Sequence, residues 1–261
     1  MARETVVISI GGSILIPGRD DADYIGRLAS MLDRTSEEVG VAIVCGGGKI
    51  ARYYTTTGRA LGGSEYDLDV MGIGATRLNA RLLAIALGGK SSRDIPSDTK
   101  TAADRAKEVP IVVMGGTEPG HTTDAVAAML ARDMGASRLV NATSVDAVYS
   151  EDPRENLDAV RYTDLTIGEL GNLVYKDHCA GKSSVFDPLG VEIAEREGID
   201  IQIVDGRNLE ELEKAVLGRP FSGTYVRARR VRSLSRGFRN QGFRQSGGGA
   251  PPRPRSSIFY V

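Results

Sequence analysis

The chain opens on a continuous apolar run, Thr5–Ile10, and short β-branched runs of the same kind recur at Val41–Cys45, Pro110–Met114, Arg138–Asn141 and Ile201–Val204. None of them alternates apolar with polar positions. Strands covered by helices on both faces of a parallel sheet have that pattern. Between the runs the period lengthens. Ile25, Leu28 and Leu32 form one helical stripe, and Ile50, Tyr53, Tyr54, Thr57 and Leu61 form a second. Met71, Ala75, Leu78, Leu82 and Ile85 hold the longest stripe, followed by Val126, Met129 and Leu130, then Leu209, Leu212 and Val216. Asp187-Pro188 supplies an N-cap with proline at the first helical position, and Asn208 with Glu211 has capping-box spacing. The strand–helix alternation predicts an α/β domain with a mainly parallel sheet, and no internal repeat points to a solenoid or propeller.

Composition narrows the class. Hydrophobic residues at 41% and charged residues at 26% of 261 fit a globular chain. No apolar run approaches the ~20 residues of a membrane helix, and Met1-Ala2-Arg3-Glu4 lacks the apolar core of a signal peptide. Two cysteines, Cys45 and Cys179, make no disulfide framework and suit a reducing compartment. The absence of Trp and an aromatic content of 5% disfavour a nucleic-acid reader built on stacked rings. The expectation is a soluble cytoplasmic protein.

The net charge of −1 conceals a split. Nine Arg and no acidic residue lie between Arg227 and Val261, which leaves 24 basic against 34 acidic residues in the body. Gly247-Gly248-Gly249 and Pro251-Pro252 break any regular element there. Residues 1–226 are therefore expected to form the domain and 227–261 an Arg-rich disordered tail. That tail reads either as a polyanion-attracting arm or as an extension without function.

Candidate chemistry clusters at strand ends. Gly11-Gly12-Ser13, Gly46-Gly47-Gly48 and Gly115-Gly116-Thr117 each follow a predicted strand directly. Glycines at that edge of a parallel sheet let backbone N–H groups approach a ligand, and the next helix N-terminus adds positive potential suited to phosphate. Other readings fail on spacing. Gly89-Lys90-Ser91 and Gly181-Lys182-Ser183 have Ala84 and Lys176 where a Walker A loop needs glycine, and no G-x-G-x-x-G opens a helix after the first strand. There is no G-x-S-x-G elbow, neither His121 nor His178 stands at zinc-ligand spacing, and Cys45 is most simply a small core residue. Two loops are richer than turns alone require: Gly115 to Asp124 (GGTEPGHTTD), and Asn141 to Pro153, dense in hydroxyls and carboxylates.

These segments resemble the amino acid kinase superfamily, and within it the archaeal type of uridylate kinases. The resemblance is carried by Ile10-Gly11-Gly12-Ser13, by CGGGKIAR at 45–52, by GGTEPGHTTD at 115–124 and by VDAVYSEDP at 145–153, and it extends to Gly223–Val226. It implies a three-layer α/β/α sandwich around a central mainly parallel sheet. The implied activity is transfer of the γ-phosphoryl of MgATP to UMP, by a homohexamer built from dimers. Carried over to this sequence, Ser9, Ile10, Gly11, Gly12 and Ser13 would cradle ATP phosphates with Gly48 and Arg52. Thr143, Tyr149 and Asp152 would hold the adenosine. Gly47, Asp69 and the loop Gly116, Thr117, Glu118, Pro119, Gly120, His121 and Thr122 would take UMP. Arg52 is the expected catalytic cation and Asp146 the carboxylate that orients the cations. Mg²⁺ would be carried by the nucleotide, with no metal site of the protein's own.

Two positions depart from the family pattern. Ser9 stands where many members have Lys, leaving Arg52, Lys49 or Lys182 to meet the γ-phosphate. Ala147 stands where Gly is usual, and would cost on the order of 1 kcal/mol if that residue needs a positive φ. The long stripe Met71–Leu78–Leu82 is expected at a subunit interface by resemblance, and fits an ordinary core equally well by periodicity. Two other readings stay open: a kinase of the same superfamily with an isopentenyl phosphate or acetylglutamate acceptor, and a non-catalytic nucleotide-binding homologue.

Overall fold

The computed structural model describes residues 3–153, 155–179 and 184–228. The first half of the chain runs β1 (Thr5–Ile10), α1 (Gly12–Leu15), α2 (Asp21–Thr35), β2 (Gly40–Cys45), α3 (Gly48–Ala60), α4 (Glu65–Leu87), α5 (Thr99–Arg105), β3 (Ile111–Met114) and α6 (Thr123–Met134). The second half runs β4 (Arg138–Thr143), β5 (Val148–Tyr149), β6 (Arg161–Tyr162), β7 (Asp164–Thr166), α7 (Ile167–Cys179), α8 (Pro188–Glu197), β8 (Asp200–Asp205), α9 (Leu209–Val216) and β9 (Thr224–Arg227). The sheet order is β3-β2-β1-β4-β8-β9-β7, with β1, β2, β3, β4 and β8 mutually parallel and β9 antiparallel to β8. All five predicted strands are present, and strands β1 to β4 and β8 are buried almost throughout, as their unbroken apolar runs require.

Alternate residues feed two cores. Val6, Ile8 and Ile10 face α2, α4 and α9, where Leu28, Leu32, Leu83 and Leu212 are buried with them. Val7 points the other way, toward Val126 and Leu130 of α6, Leu170 and Val174 of α7, and Val191 and Ile193 of α8. This is the three-layer α/β/α sandwich. The expected caps form in part: Asp187 accepts from Gly190 N at 3.1 Å, and Asn208 accepts from Glu211 N at 3.3 Å. Glu211 turns instead to Lys214, so only half of that capping box closes. A complete box, Ser64 with Asp67, starts α4.

Two helices face differently from their most apolar stripes. On α4 the buried side carries Leu68, Ile73, Thr76, Asn79, Ala80 and Leu83, whereas Leu78, Leu82 and Ile85 of the long stripe are exposed. On α3 the inner face is small, Ala51 and Gly58, and Ile50, Tyr53, Tyr54 and Leu61 point outward. Glu65–Lys90 is apolar and long enough to cross a bilayer by length and composition alone, and half of it is buried against the sandwich. The strand Thr224–Arg227 ends one residue beyond the expected domain limit, and Arg227 pairs with Asp164 at 3.2 Å. The Arg-rich tail beyond Ala228 lies outside the described residues.

The rotation of α4 is testable. Leu83 is fully buried, so Leu83→Ala should cost about 3 kcal/mol in urea unfolding; a loss under about 1 kcal/mol would place this side chain outside the core.

Candidate active site

The parallel strands bring the C-terminal ends of β1, β2 and β3 to one edge. Gly11 N donates to Ala142 O at 3.0 Å and Gly46 N donates to Ile10 O at 2.8 Å, which stitches the turns after β1 and β2 together. They then meet backbone to backbone. A Cβ on Gly12 would lie 2.6 Å from Gly46 O, and one on Gly46 would lie 2.6 Å from Gly12 N. Gly48 has φ +58 and no room beside Ser13 N. Glycine is therefore required here by packing as well as by any ligand. Helix α3 begins at this point, with Gly47 as its N-cap and no side chain capping its first amides. From its second turn Arg52 donates to Ser13 Oγ at 3.1 Å, which joins two of the expected ATP-side residues. Lys49 instead donates to Pro17 O at 2.7 Å, and Lys182 lies outside the described residues.

The acceptor side is held by α4. Asn79 Nδ2 donates to Gly46 O at 2.7 Å and to Gly47 O at 3.2 Å. Gly116 N donates to Thr76 Oγ1 at 2.7 Å, and a Cβ on Gly115 would stand 2.6 Å from that same oxygen. Arg77 donates from Nε to Gly116 O and from Nη2 to Thr117 O. The loop arches over Glu118 and Pro119, passes Gly120 at φ +91, and returns to α4 where Gly120 N donates to Asp69 Oδ2 at 2.8 Å. His121 Nδ1 stands 3.4 Å from Glu118 Oε1, and Thr122 caps α6 by accepting from Ala125 N. The structure thus gathers Gly47, Asp69 and Gly116–Thr122 in one place. Thr76, Arg77 and Asn79, which hold them, escape a search by motif because they lie inside a helical pattern.

A further residue that motif reading passed over is Asp124. It sits in the first turn of α6, and Ser9 Oγ donates to its Oδ1 at 2.6 Å. Part of its surface stays open, but the carboxyl lies deep at the sheet edge. Burial pushes its pKa up to about 7, the Ser9 hydrogen bond opposes the rise, and the Asp187 carboxylate adds to it. An acid shifted this far beside a glycine turn at the sheet edge is the kind of group active sites hold. Its signal in the sequence was the last residue of GGTEPGHTTD.

On the nucleotide side, Thr143 ends β4 and Tyr149 ends β5. Asp146 accepts from Tyr149 OH at 2.9 Å and from Arg161 Nε at 2.9 Å, fastening the β5–β6 hairpin. Partial burial raises its carboxyl, but the Arg161 and Tyr149 hydrogen bonds outweigh that and hold it below the usual range. Both oxygens of Asp146 are therefore engaged in structure. Asp152 closes the following turn, its carbonyl accepting from Asn156 N at 2.9 Å. Ala147 is buried, and Asp20 has the only positive φ outside glycine among the described residues, so the departure at 147 carries no strain. Cys45 is buried in the core and burial pushes its thiol up, which leaves it no nucleophilic role.

The sandwich thus carries three glycine turns at one strand edge, with the Asp124 carboxyl beside the first strand's Ser9. The sequence model of the amino acid kinase family matches residues 4–205, and the chain belongs to that family. It is 40% identical over 222 residues to a uridylate kinase of Methanoculleus marisnigri, covering 85% of this chain and 94% of that one. With a uridylate kinase of Pyrococcus abyssi the identity is 41% over 224 residues, covering 85% and 98%. The crystal structure of uridylate kinase from Archaeoglobus fulgidus superposes with a TM-score of 0.77 at 40% identity, covering 85% and 99%.

The sign of the Asp124 shift fixes a pH test. Its folded pKa is raised, so the fold is most favoured when the acid is protonated. That stability is complete below the unfolded value near 4 and is lost as pH rises through about 7. In the ligand-free protein, Asp124→Asn should remove a fall on the order of 2 kcal/mol between pH 5 and pH 8. Urea midpoints at the two pH values, wild type against variant, measure it; parallel profiles would sink the assignment.

Proposed function

We propose that this chain is a nucleoside monophosphate kinase that transfers the γ-phosphoryl of ATP to UMP, giving ADP and UDP for pyrimidine nucleotide synthesis in the cytoplasm. The observation that carries the reading is the pair of apposed turns. Ser13 and Arg52 stand on one side of them, and the α4-held loop Gly116–Thr122 on the other. Relatives that align with nearly their whole length are uridylate kinases, which supports the acceptor.

The chemistry asks for little beyond placement. The attacking oxygen belongs to the acceptor phosphate and is anionic near neutral pH, so no general base is needed. Two polyanions must be aligned and the charge between them neutralised. The amides of Ser9–Ser13 and of Gly48 would take the donor phosphates, Arg52 the charge that develops during transfer, and Gly47 the acceptor phosphate. Asp69 would take the ribose hydroxyls. Thr143, Tyr149 and Asp152 would frame the adenosine, with Asp146 holding that frame in shape. Asp124 then takes the orienting role first expected of Asp146: its carboxyl is poised to ionise once cations gather above it. Mg²⁺ would arrive on the nucleotide, where it neutralises phosphate charge.

Self-association is the second part of the proposal. Tyr53, Tyr54, Leu61, Leu78, Leu82 and Ile85 form an exposed apolar face across α3 and α4. Patches of this kind mark interfaces, and a second copy of the chain is the proposed occupant, as the first contact of a homohexamer.

An acceptor screen with MgATP and a coupled ADP-release assay should show UMP turned over well ahead of CMP, because a fixed polar loop rejects the wrong donor–acceptor pattern. Equal rates with CMP, or turnover only of isopentenyl phosphate or acetylglutamate, would overturn the acceptor. In the same assay Arg52→Ala should lower kcat about 100-fold while changing KM little. For assembly, Leu82→Glu with Ile85→Glu should shift the sedimentation coefficient to a smaller species; an unchanged value would move the interface elsewhere.

A further inference from the structure

We propose that Arg77 is a positioning residue for the acceptor, fixing the loop Gly116–Thr122 and setting the polarity of the site beneath it. The inference rests on the proposal that UMP is the acceptor. Arg77 is half-buried on α4 and spreads its guanidinium over three carbonyls. Nε donates to Gly116 O at 3.1 Å, and Nη2 donates to Thr117 O at 3.0 Å and to Ser97 O at 3.3 Å. The first two acceptors belong to the loop after β3, and the third to the segment leading into α5. One side chain therefore ties together two stretches of chain that no strand pairing joins. A planar fork with several donors at fixed angles can do this, and a lysine ammonium at the end of a flexible stem cannot.

The anchoring is directional. The peptide units around Gly116 are gripped from both sides, its N–H by Thr76 Oγ1 and its C=O by Arg77. The loop then leaves α4 and comes back at Asp69, eight residues earlier on the same helix. Eight residues span about 12 Å of helix axis, close to the length of a nucleoside monophosphate. The two anchors have opposite charge. Among the described residues Arg77 forms no ion pair, so its positive charge is not cancelled by a neighbouring carboxylate. Arg77 stands at the end of the site where Thr76 and Asn79 hold the glycine turns, and Asp69 stands at the far end. A small ligand lying along this helix meets a cation at the turns and a carboxylate about 12 Å away. The acceptor that fits is anionic at one end and a hydroxyl donor at the other, with its phosphate directed to the turns.

The test uses the full chain with Arg77→Met, which keeps the stem and loses the charge, and Arg77→Lys, which keeps the charge and loses the fork. With UMP and MgATP, Arg77→Met should raise the KM for UMP about tenfold, the worth of one charge-assisted hydrogen bond, and leave the KM for ATP within about twofold. Arg77→Lys should recover about half of that effect on a logarithmic scale. Hydrogen exchange at the amides of Gly116 and Gly120, which donate to Thr76 and Asp69 of α4, should quicken in both variants, whatever acceptor the enzyme uses. A KM for UMP that does not move, or moves together with that for ATP, overturns the polarity. Unchanged exchange in the loop overturns the anchoring. If the wild type turns over a different acceptor, the acceptor reading fails by itself, and the exchange data still decide whether Arg77 holds the loop.

Discussion

Two stretches of backbone in contact with no side chain between them set the geometry of this protein. Gly12 meets Gly46 and Gly48 so closely that a single methyl group on any of them would strike main-chain atoms. The contact is possible because β1 and β2 pair in register up to Ile10 and Cys45, so both turns begin at the same height. It also dictates where the next element begins. Helix α3 must start against the first turn, which is how Arg52 comes within reach of Ser13. The separation of the two loops is then set by van der Waals contact. A reaction that consists mainly of bringing two polyanions into line depends on that separation.

The third turn is seated on a helix. Gly115 packs against Thr76, and Thr76, Arg77 and Asn79 together hold the ends of β2 and β3 by side-chain hydrogen bonds. Polar groups there replace the apolar residues that a buried helix face ordinarily carries. They explain why the most regular apolar stripe of α4 points away from the core. Periodicity measures how apolar a stripe is, and on α4 the inward side gives up apolar residues to hold the site. Without that cue, Leu78 and Leu82 fit a core equally well, and only packing against the sheet distinguishes the two faces.

The same division separates the parts of the fold that were legible in the sequence from those that were not. Strands buried on both sides leave unbroken apolar runs, so all five were readable, and the glycine turns were readable because they interrupt those runs. The two-residue strands β5 and β6 were not, since their pairing comes from tertiary contacts rather than local pattern. Helix α7 was missed as well, although its Leu170 and Val174 are buried. Asp124 and Asp146 show the limit for chemistry. Both are acidic residues in rich loops, and their roles differ because one faces Ser9 beside a phosphate turn and the other faces Arg161 in a hairpin. Burial and partners decide the role of a carboxylate, and neither is a property of spacing.

The two halves of the cleft are built from different materials. The half expected to take the acceptor is tied to a helix of 23 residues, where Asp69 and Thr76 accept from its backbone amides and Arg77 and Asn79 donate to its carbonyls. The half assigned to adenosine rests on a hairpin of two-residue strands fastened by an exposed ion pair between Asp146 and Arg161. Exposed pairs contribute little, on the order of 0–1 kcal/mol, so the hairpin depends more on β9, where Thr224 Oγ1 accepts from Val148 N at 2.8 Å and donates to Tyr162 O at 2.6 Å, and on the buried Val148. Discrimination between bases needs a rigid frame, because a loop that can move will satisfy the wrong pattern of donors and acceptors. The loop from which that choice is expected is held by side chains of α4, and the hairpin by Thr224 of β9.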